Sequence, residues 1–456
     1  MMQRTHTRPR VSVWTALPAV TAVALFSTGA SATVLDPDPP VEVTYAKDVA
    51  PIIQENCQVC HQPGAIGPMS LMSYDEVRPW ARVIKLRVEQ QEMPPYHYDT
   101  DVGIQQLKQD KRLSPEQIAT ISAWVDQGAP LGNPADLPPP KVFPDAAEWR
   151  LAGELGPPDL VVASTPYDVP ALGQDSWWQP LVPTGLTTDR CIRAVETKPN
   201  VESRSVAHHA NSAFEVPSDS GMVSAGRLSE YALGKLGEII PPDACRIAPA
   251  GSSVSWDIHY YPNGEDVIAS QIEVGLWLYP EDFDKDSLYR QTLSLYNLQG
   301  GDFDIPPHGT LMTQGFHSFD TPVRIDSFQP HGHLRLVGKR LEVFYPETGR
   351  KEIISQVSNW NPGWHLSHMY EDDVAPLLPK GAVLVITAWY DNTANNPHNP
   401  DPDQWVGIGD RTTDEMSHAW IAVTHLDEAG YERLKAEREA KGVQPTPQPP
   451  LTRGSR

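Results

Sequence analysis

After about residue 160, the chain is dominated by short segments in which apolar residues alternate with polar ones between clusters of turn residues. The clearest alternating segments cover 271–278 and 341–345, and a near-continuous apolar segment covers 381–389. Alternation with a period of two predicts β-strands, because successive side chains of a strand point to opposite faces of the sheet. Many short strands with frequent turns are typical of β-sandwiches, so we expect an all-β fold for this part of the chain.

The length of this pattern indicates two β-sandwiches, over 161–305 and 306–430, with a boundary where Gly-Gly and Pro-Pro pairs interrupt the strands near 300–307. Proline supplies 46 of the 456 residues, about twice its average share of roughly 5%. The prolines are concentrated between segments, and 132–160 is predicted to be an extended linker. A charged and then Pro-rich tail is expected over 431–456.

The N-terminus has the pattern of a secretory signal peptide. Three arginines precede an apolar stretch over 11–26, and the small residues of 30–32 supply a cleavage site. A membrane anchor is the alternative, but the apolar stretch is shorter than the ~20 residues that a spanning helix needs. We therefore predict that 1–32 is cleaved, that the protein is periplasmic or secreted, and that it has no stable membrane insertion.

A CxxCH motif, formed by Cys57, Cys60 and His61, indicates covalent attachment of one c-type haem. Each thiol can form a thioether to a haem vinyl group, and His61 would be the proximal ligand of the iron. A redox-active dithiol or half of a zinc site are the alternatives. No second cysteine pair follows nearby, and export also favours haem attachment.

Amphipathic helical patterns flank the motif, over 45–56, 74–90 and 114–128. Between the last two, Met93 lies in a Pro-flanked loop, where a thioether could serve as the sixth ligand of the haem iron. Residues 43–131 resemble a single-haem class I cytochrome c, and the resemblance implies a small all-α cytochrome c domain. The competing candidates for the sixth ligand are His97, Met69 and Met72.

Five histidines and one methionine are candidate metal ligands. They are His208 with His209, His259, His331 with His333, and Met416. Residues at i and i+2 of a strand share a face, so the His-x-His pair is a natural chelate, whereas the adjacent histidines need a backbone twist to reach one metal ion. Each signal is weak alone, since a single histidine is more often a hydrogen-bonded strand residue. Imidazole together with a thioether favours copper.

The segments that carry these residues resemble, in the same order, the copper-ligand motifs of the ascorbate-dependent type II copper monooxygenases, the family of peptidylglycine α-hydroxylating and dopamine β-monooxygenases. The segments are 207–209, 258–260, 331–333 and 413–416. The resemblance implies that the first three histidines hold an electron-delivering copper, and that His331, His333 and Met416 hold the catalytic copper that binds oxygen. It also implies two jelly-roll-like β-sandwiches. The expected fold class is therefore multidomain, a small all-α domain followed by an all-β region.

Two departures from the family leave the substrate open. Gln329-Pro330 precedes the His-x-His pair where the peptide-acting enzyme has an arginine that grips the substrate carboxylate, and Ser417-His418 follows the methionine in place of Cys-Asn. A peptide C-terminus or a catecholamine does not follow as the substrate. His418 is open to three roles, a group that supports the metal ligands, a spare ligand or a surface residue, and surface or core roles are expected for His308, His317, His365 and His368.

Cys191 and Cys245 are the remaining cysteines, and both lie in the first predicted β-sandwich. Since disulfides are allowed in an exported protein, we expect them to form one. The alternative is a free thiol near copper, which oxygen chemistry would damage.

The charge balance indicates whether the chain could bind nucleic acid. Lys and Arg total 36 against 58 Asp and Glu, a net charge of −22, and no basic tract is present. The chain therefore lacks the electrostatic footprint of a nucleic-acid-binding protein.

Taken together, these features predict an O₂-dependent copper monooxygenase that hydroxylates a C–H bond of a small organic substrate. Its electrons would come from an ascorbate-like reductant or a periplasmic donor, relayed through the fused haem. Two alternatives stay open: an electron carrier whose β-domains are a docking platform, and an exported copper-binding or redox-sensing protein without turnover.

Overall fold

The computed structural model describes residues 42–443, apart from 64, 66, 97, 144–147, 233–234, 236 and 298–302. The predicted signal peptide and the end of the tail lie outside the described residues, as does His97. The helices are α1 (Ala50–Asn56), α2 (Tyr74–Val77), α3 (Ala81–Glu89), α4 (Pro115–Asp126), α5 (Ala152–Leu155) and α6 (Glu428–Ala440). Among the described residues, no helix is both long and apolar enough to cross a membrane.

Strands make up most of the chain after residue 159. The first thirteen are β1 (Leu160–Ala163), β2 (Tyr167–Val169), β3 (Ser176–Trp178), β4 (Leu181–Pro183), β5 (Arg190–Pro199), β6 (Ala207–Ser218), β7 (Gly221–Ala232), β8 (Glu238–Ile239), β9 (Ala244–Ala248), β10 (Ser253–Tyr260), β11 (Val267–Ser270), β12 (Ile272–Leu278) and β13 (Tyr289–Asn297). The others are β14 (Thr310–Ser318), β15 (Val323–His331), β16 (Leu336–Tyr345), β17 (Arg350–Val357), β18 (His368–Met369), β19 (Leu377–Leu378), β20 (Val383–Asp391) and β21 (His418–His425).

One large sheet contains 15 of these strands, in the main order β1-β12-β5-β9-β13-β7-β6-β10-β3. Strand β13 also pairs with β21, from Arg290 opposite His425 to Asn297 opposite His418, and β21 pairs in turn with β15. A separate four-stranded sheet has the order β14-β20-β16-β17, and β2 pairs with β11. Strands from both predicted sandwiches therefore belong to one sheet.

The three strand predictions that rest on local pattern are confirmed by β12, β16 and β20. Strand β12 differs from the half-buried strand that alternation suggested, because both of its faces are covered. Its second face packs under the Trp149 ring, where a Cβ at Gly275 would lie 3.0 Å from the indole. In the turn after β16, Gly349 has φ +67° and its N–H donates to the carbonyl of Tyr345 at 2.9 Å.

The predicted start of the last N-terminal helix is confirmed as well. Ser114 is the N-cap of α4, its side chain accepts from the N–H of Gln117, and the Gln117 side chain accepts from the N–H of Ser114. Helices α1 to α4 share an apolar core that includes Ile53, Ile84 and Trp124.

The predicted fold class is nevertheless wrong. The described chain is mostly β-sheet with few short helices, and the helical region is not a separate small all-α domain, since Val43 onward forms one compact unit. The segment between α3 and α4 joins the β-core. Tyr98, Ile104 and Leu107 pack in the same apolar core as β15, and the N–H of Ile104 donates to the carbonyl of Ile354 in β17 at 2.9 Å. The two expected jelly-roll sandwiches are likewise joined through the β13-β21-β15 ladder.

A disulfide between Cys191 and Cys245 is present, as predicted. It joins β5 to β9, which pair antiparallel, and its Cα atoms are 5.5 Å apart. Both cysteines are buried. The bridge closes a segment that contains β6 and β7, the strands that carry part of the candidate site.

Candidate metal centres

The first histidine group consists of His208, His209 and His259, on the neighbouring strands β6 and β10. His209 and His259 are register partners, but the register then shifts, so that Tyr260 pairs with Ala207 and His208 is passed over. Such a bulge bends the strand and turns its side chains. The bulge is the backbone twist that two adjacent histidines need in order to reach one point.

The rings of this group converge through their Nδ1 atoms. Nδ1 of His208 lies 3.2 Å from Nδ1 of both His209 and His259. One nitrogen from each ring lies within 4.8 Å of the others, a spacing at which three donors can hold one metal ion. Burial lowers the pKa of His208 to about 4 and that of His209 well below its usual value, so both rings are neutral, as metal ligation requires.

Asp175 fixes the orientation of His259. Its Oδ2 lies 2.9 Å from Nε2 of His259, which is suited to an Nε2–H donor and leaves the Nδ1 lone pair facing the other two rings. The Trp177 ring stacks on His259 at 4.5 Å, and the two residues are register partners across β3 and β10. Sequence reasoning missed Asp175, since nothing in the motif marks a carboxylate 84 residues away.

The second group consists of Glu230, His331 and His365. One donor atom from each lies within 4.8 Å of the others, and all three side chains are buried. The rings of His331 and His365 are perpendicular, with centroids 4.7 Å apart. His331 ends β15, Glu230 lies in β7 and His365 in the loop before β18. Neither Glu230 nor His365 belongs to the predicted ligand set.

His333, a predicted ligand, lies next to this group, with its ring centroid 5.5 Å from that of His331. Its Nδ1 is 3.2 Å from the carbonyl of Asp414, a contact that leaves Nε2 as the free donor for a metal ion. Burial lowers the pKa of His333 to about 4 and that of His331 well below its usual value. Both rings are therefore available as neutral ligands.

The buried carboxylate of Glu415 joins the His-x-His segment to the segment that carries Met416. It accepts the backbone N–H groups of His333, Arg335 at 2.8 Å, Leu336 at 3.2 Å and Met416 at 3.0 Å. The carbonyl of Met416 also accepts from the hydroxyl of Tyr390 at 3.1 Å. These contacts hold Met416 through its backbone, and the thioether as a copper ligand stays a prediction.

Lys339 stabilises the same region through hydrogen bonds to two backbone carbonyls. The side chain is fully buried, and its Nζ donates to the carbonyl of His331 and, at 2.7 Å, to the carbonyl of His418. His418 is the register partner of His331, and the two rings stack at 4.2 Å. His418 therefore contacts a predicted ligand, which agrees with one of the three roles that the sequence leaves open for it.

His365 makes the two groups contiguous. Its ring centroid lies 6.2 Å from that of His209 in the first group and 4.7 Å from that of His331 in the second. The predicted ligand sets therefore lie close together, with His365 between His209 and His331. The sequence analysis predicts no ligand role for this residue.

The remaining histidines take other roles. His308 is exposed and pairs with Asp403 at 2.7 Å. His317 contacts the rings of Tyr296 and Phe319. His368 is buried, and its ring centroid lies 4.0 Å from that of Tyr98.

The residues of the CxxCH motif fit covalent haem attachment. Cys57 and Cys60 are free thiols, and Nδ1 of His61 lies 3.1 Å from the carbonyl of Met69. This contact suits an Nδ1–H donor and leaves Nε2 of His61 as a donor to iron. A side chain at Gly67 would place its Cβ 2.5 Å from Nδ1 of His61, so the loop needs glycine for this close approach.

Met93 and Cys60 line neighbouring clefts. Cys60 lines a cleft whose other wall includes Lys235 and Leu366 of the β-region. Met93 lines a second cleft with Val88 and Ile118, and Pro94 borders both clefts. None of the contacts of the described residues links the Met93 sulfur to His61. The role of Met93 as the sixth ligand of the haem iron stays a prediction. Leu366 follows His365, so the cleft beside the CxxCH motif extends close to the second group.

Comparisons with known proteins identify no family. No family model and no curated protein matches this chain. Solved structures with partial similarity include the N-terminal CBM22-1-CBM22-2 tandem domain of Xyn10C from Paenibacillus barcinonensis, at 10% identity over 59% of this chain and 98% of that chain, with a TM-score of 0.15. Others are infectious bursal disease virus Gt strain (9%, 58% and 72%, TM-score 0.15) and pumpkin seed globulin (10%, 59% and 86%, TM-score 0.14). These scores are too low to indicate a shared fold.

Proposed function

We propose that this chain is an exported oxidoreductase with one covalent haem and two copper ions, and that it hydroxylates a C–H bond of a small organic substrate with O₂. The observation that carries the proposal is the convergence of three imidazoles in the first histidine group, next to a second cluster built on His331. Neutral imidazole is a preferred ligand of copper.

In this proposal, His208, His209 and His259 hold one copper ion, and His331, His333 and Met416 hold the other. Copper at these positions would supply the two one-electron centres that reduction of O₂ by two electrons requires. The reaction inserts one oxygen atom into the C–H bond and reduces the other to water, with two electrons and two protons from outside the substrate. The thioether of Met416 would make its centre the softer of the two.

The chain's own contribution is to hold the ligands in place before metal binds. Asp175 keeps the Nδ1 lone pair of His259 directed at His208, and the carbonyl of Asp414 keeps Nε2 of His333 free. Glu415 and Lys339 fix the backbone on either side of His331 and His333. Pre-oriented ligands lower the free-energy cost of assembling a metal site.

The haem is proposed as the electron source for copper. Cys57, Cys60 and His61 would hold it, and the cleft that Cys60 lines reaches Leu366, the neighbour of His365. Because one cleft is lined by both the motif and the neighbour of His365, it supports a built-in supply of electrons. The ultimate donor would be an ascorbate-like reductant or a periplasmic protein.

The test is metal and haem analysis of the full chain, produced in a host that attaches c-type haem, followed by oxygen uptake. We expect one haem and two copper ions per chain. We also expect oxygen uptake that needs both a reductant and an organic substrate, sought in a panel of compounds with unactivated C–H bonds.

Three variants sharpen this experiment. In protein loaded anaerobically with Cu⁺, His259→Ala should remove one copper ion and Met416→Ala the other, whereas His308→Ala, at an exposed histidine paired with Asp403, should retain both. Haem without tightly held copper would reject the proposal in favour of an electron carrier. Two coppers without substrate-dependent oxygen uptake would favour a copper-binding or redox-sensing protein.

A further inference from the structure

We propose that Glu230, His331 and His365 form a buried binding site for a divalent metal ion, with a donor set different from that of the predicted copper ligands. The site goes beyond the proposed reaction, because metal binding can be measured without oxygen, reductant or substrate. Zn²⁺ and Cu²⁺ are the ions that fit its donors.

The first argument is convergence within a buried space. Glu230, His331 and His365 are 3%, 6% and 8% exposed, and one donor atom from each lies within 4.8 Å of the others. The three residues come from β7, the end of β15 and the loop before β18, so tertiary structure alone brings them together.

The second argument is that the histidine donors lack partners. Nδ1 of His331 and Nδ1 of His365 are buried and have no hydrogen-bond partner in the described part of the chain. The nearest carboxylate oxygen to Nδ1 of His365 is Oε1 of Glu230, at 3.9 Å, which is beyond hydrogen-bond range. Buried polar atoms are nearly always satisfied, so two unsatisfied ring nitrogens beside a carboxylate call for a ligand.

The third argument is the way Glu230 is held. Its Oε2 accepts from the side-chain amide of Gln329, and Nζ of Lys235 lies 3.6 Å from the same oxygen. Oε1 is the oxygen that faces His365. One carboxylate oxygen is therefore anchored by the protein, and the other remains available to coordinate a metal ion.

The donor chemistry separates this site from the predicted copper set. Two imidazoles and a carboxylate form a set that suits Zn²⁺ and Cu²⁺, whereas His331 and His333 with the thioether of Met416 favour Cu⁺. His331 belongs to both sets. Binding of Zn²⁺ or Cu²⁺ should therefore depend on Glu230 and His365. Binding of Cu⁺ should instead depend on His333 and Met416, and both kinds of binding should need His331.

The test uses the full chain with His208→Ala and His259→Ala, which disables the first histidine group. In this background we expect one Zn²⁺ per chain by elemental analysis after gel filtration. His365→Gln and Glu230→Gln should each lower the Zn²⁺ affinity at least about 10-fold, as measured by competition with a chromophoric chelator. Met416→Ala should leave Zn²⁺ affinity unchanged but weaken anaerobic Cu⁺ binding, and His308→Ala is the control that should alter neither.

Two results would overturn the site. One is Zn²⁺ affinity unchanged in both Glu230→Gln and His365→Gln, and the other is an equal loss in Met416→Ala. If His365→Gln does not fold, as judged by thermal unfolding, X-ray absorption at the zinc edge of the background protein decides the question. Nitrogen and oxygen scattering alone supports the site, and a sulfur ligand contradicts it. Loss of oxygen uptake would bear on the proposed reaction and leave this result unaffected.

Discussion

The two histidine groups lie side by side around His365, but different kinds of structure hold them. The first group is placed by a regular strand ladder, with one bulge at His208 and one supporting carboxylate, Asp175, which is 45% exposed. The second group lies where strands end, and His331 and its neighbour His333 depend on buried polar side chains. In the first group backbone pairing supplies most of the positioning, whereas in the second Glu415 and Lys339 supply it.

This difference has an energetic consequence. A ladder satisfies its own backbone groups, so removing an exposed supporting side chain changes orientation more than stability. A loop segment held by a buried acceptor leaves unpaired backbone donors when that acceptor is removed, and each costs about 1–3 kcal/mol. Substitutions around the second group should therefore lower the free energy of unfolding, and those around the first should mainly lower metal affinity.

The largest effect is expected for Glu415→Ala. The change removes the acceptor of two buried backbone N–H groups, at Arg335 and Leu336, and of two partly buried ones, at His333 and Met416, and should lower the free energy of unfolding by about 5 kcal/mol. Urea unfolding of the metal-free protein measures it. Glu437→Ala, at an exposed glutamate paired with Arg433, is the control and should stay within about 0.5 kcal/mol.

If Glu415→Ala yields no folded protein, Glu415→Gln gives a second measurement, because it keeps one acceptor oxygen. A loss below about 1 kcal/mol in both variants would show that the two segments hold without the carboxylate, and the contrast between the groups would fail.

The next effect is expected from the disulfide, which closes 54 residues that include His208, His209 and Glu230. Cys191→Ala with Cys245→Ala should lower the free energy of unfolding by about 4 kcal/mol, since the bridge restricts the unfolded chain. Because this effect acts on the unfolded state, metal affinity of the folded protein should not change. Isothermal titration with Zn²⁺ checks that part, and a 10-fold loss of affinity would show that the bridge also shapes the native site.

A smaller effect is expected for Lys339→Met. The change leaves the carbonyls of His331 and His418 without their buried donor, while relieving the burial of a charge, so the net loss should be about 2 kcal/mol. Lys351→Met, at an exposed lysine of β17, is the matched control. Zinc binding by the second group should weaken and binding by the first should persist. Equal weakening of both would mean that Lys339 supports the whole sheet rather than one site.

The local part of the fold could be predicted from the sequence. Alternation over 271–278 identified β12, the near-continuous apolar segment over 381–389 identified β20, and the helical pattern over 114–128 identified α4, because each pattern acts within a few residues. The pairing of β13 with β21 could not be predicted, since it joins strands more than 120 residues apart. The merging of the two predicted sandwiches, and the packing of Tyr98 and Ile104 against the β-core, have the same long-range origin.

The candidate site shows the same division. The pairs His208-His209 and His331-x-His333 were identifiable, because together with His259 and Met416 they form a set whose order resembles a known series of ligand motifs. Asp175, Glu230 and His365 were not, since each is a single polar residue without a neighbouring signal and acquires its partners only when distant strands pair. His365 shows the limit most clearly. As a lone histidine it was assigned no ligand role, yet it belongs to the second group and lies beside His209 of the first.

The smallest effect on stability, and the most selective effect on metal binding, is expected for Asp175→Ala. Asp175 is 45% exposed and contacts the site only through Nε2 of His259, so its loss should change the free energy of unfolding by less than about 1 kcal/mol. The His259 ring would then be free to exchange tautomers, which should weaken metal binding at the first group about 10-fold.

Asp175→Asn retains an oxygen acceptor and should restore most of the affinity. Chelator competition on both variants measures this, with zinc binding at the second group as the internal reference. An equal loss at both groups, or none at the first, would mean that the ladder alone orients His259 and that the carboxylate has no part in the site.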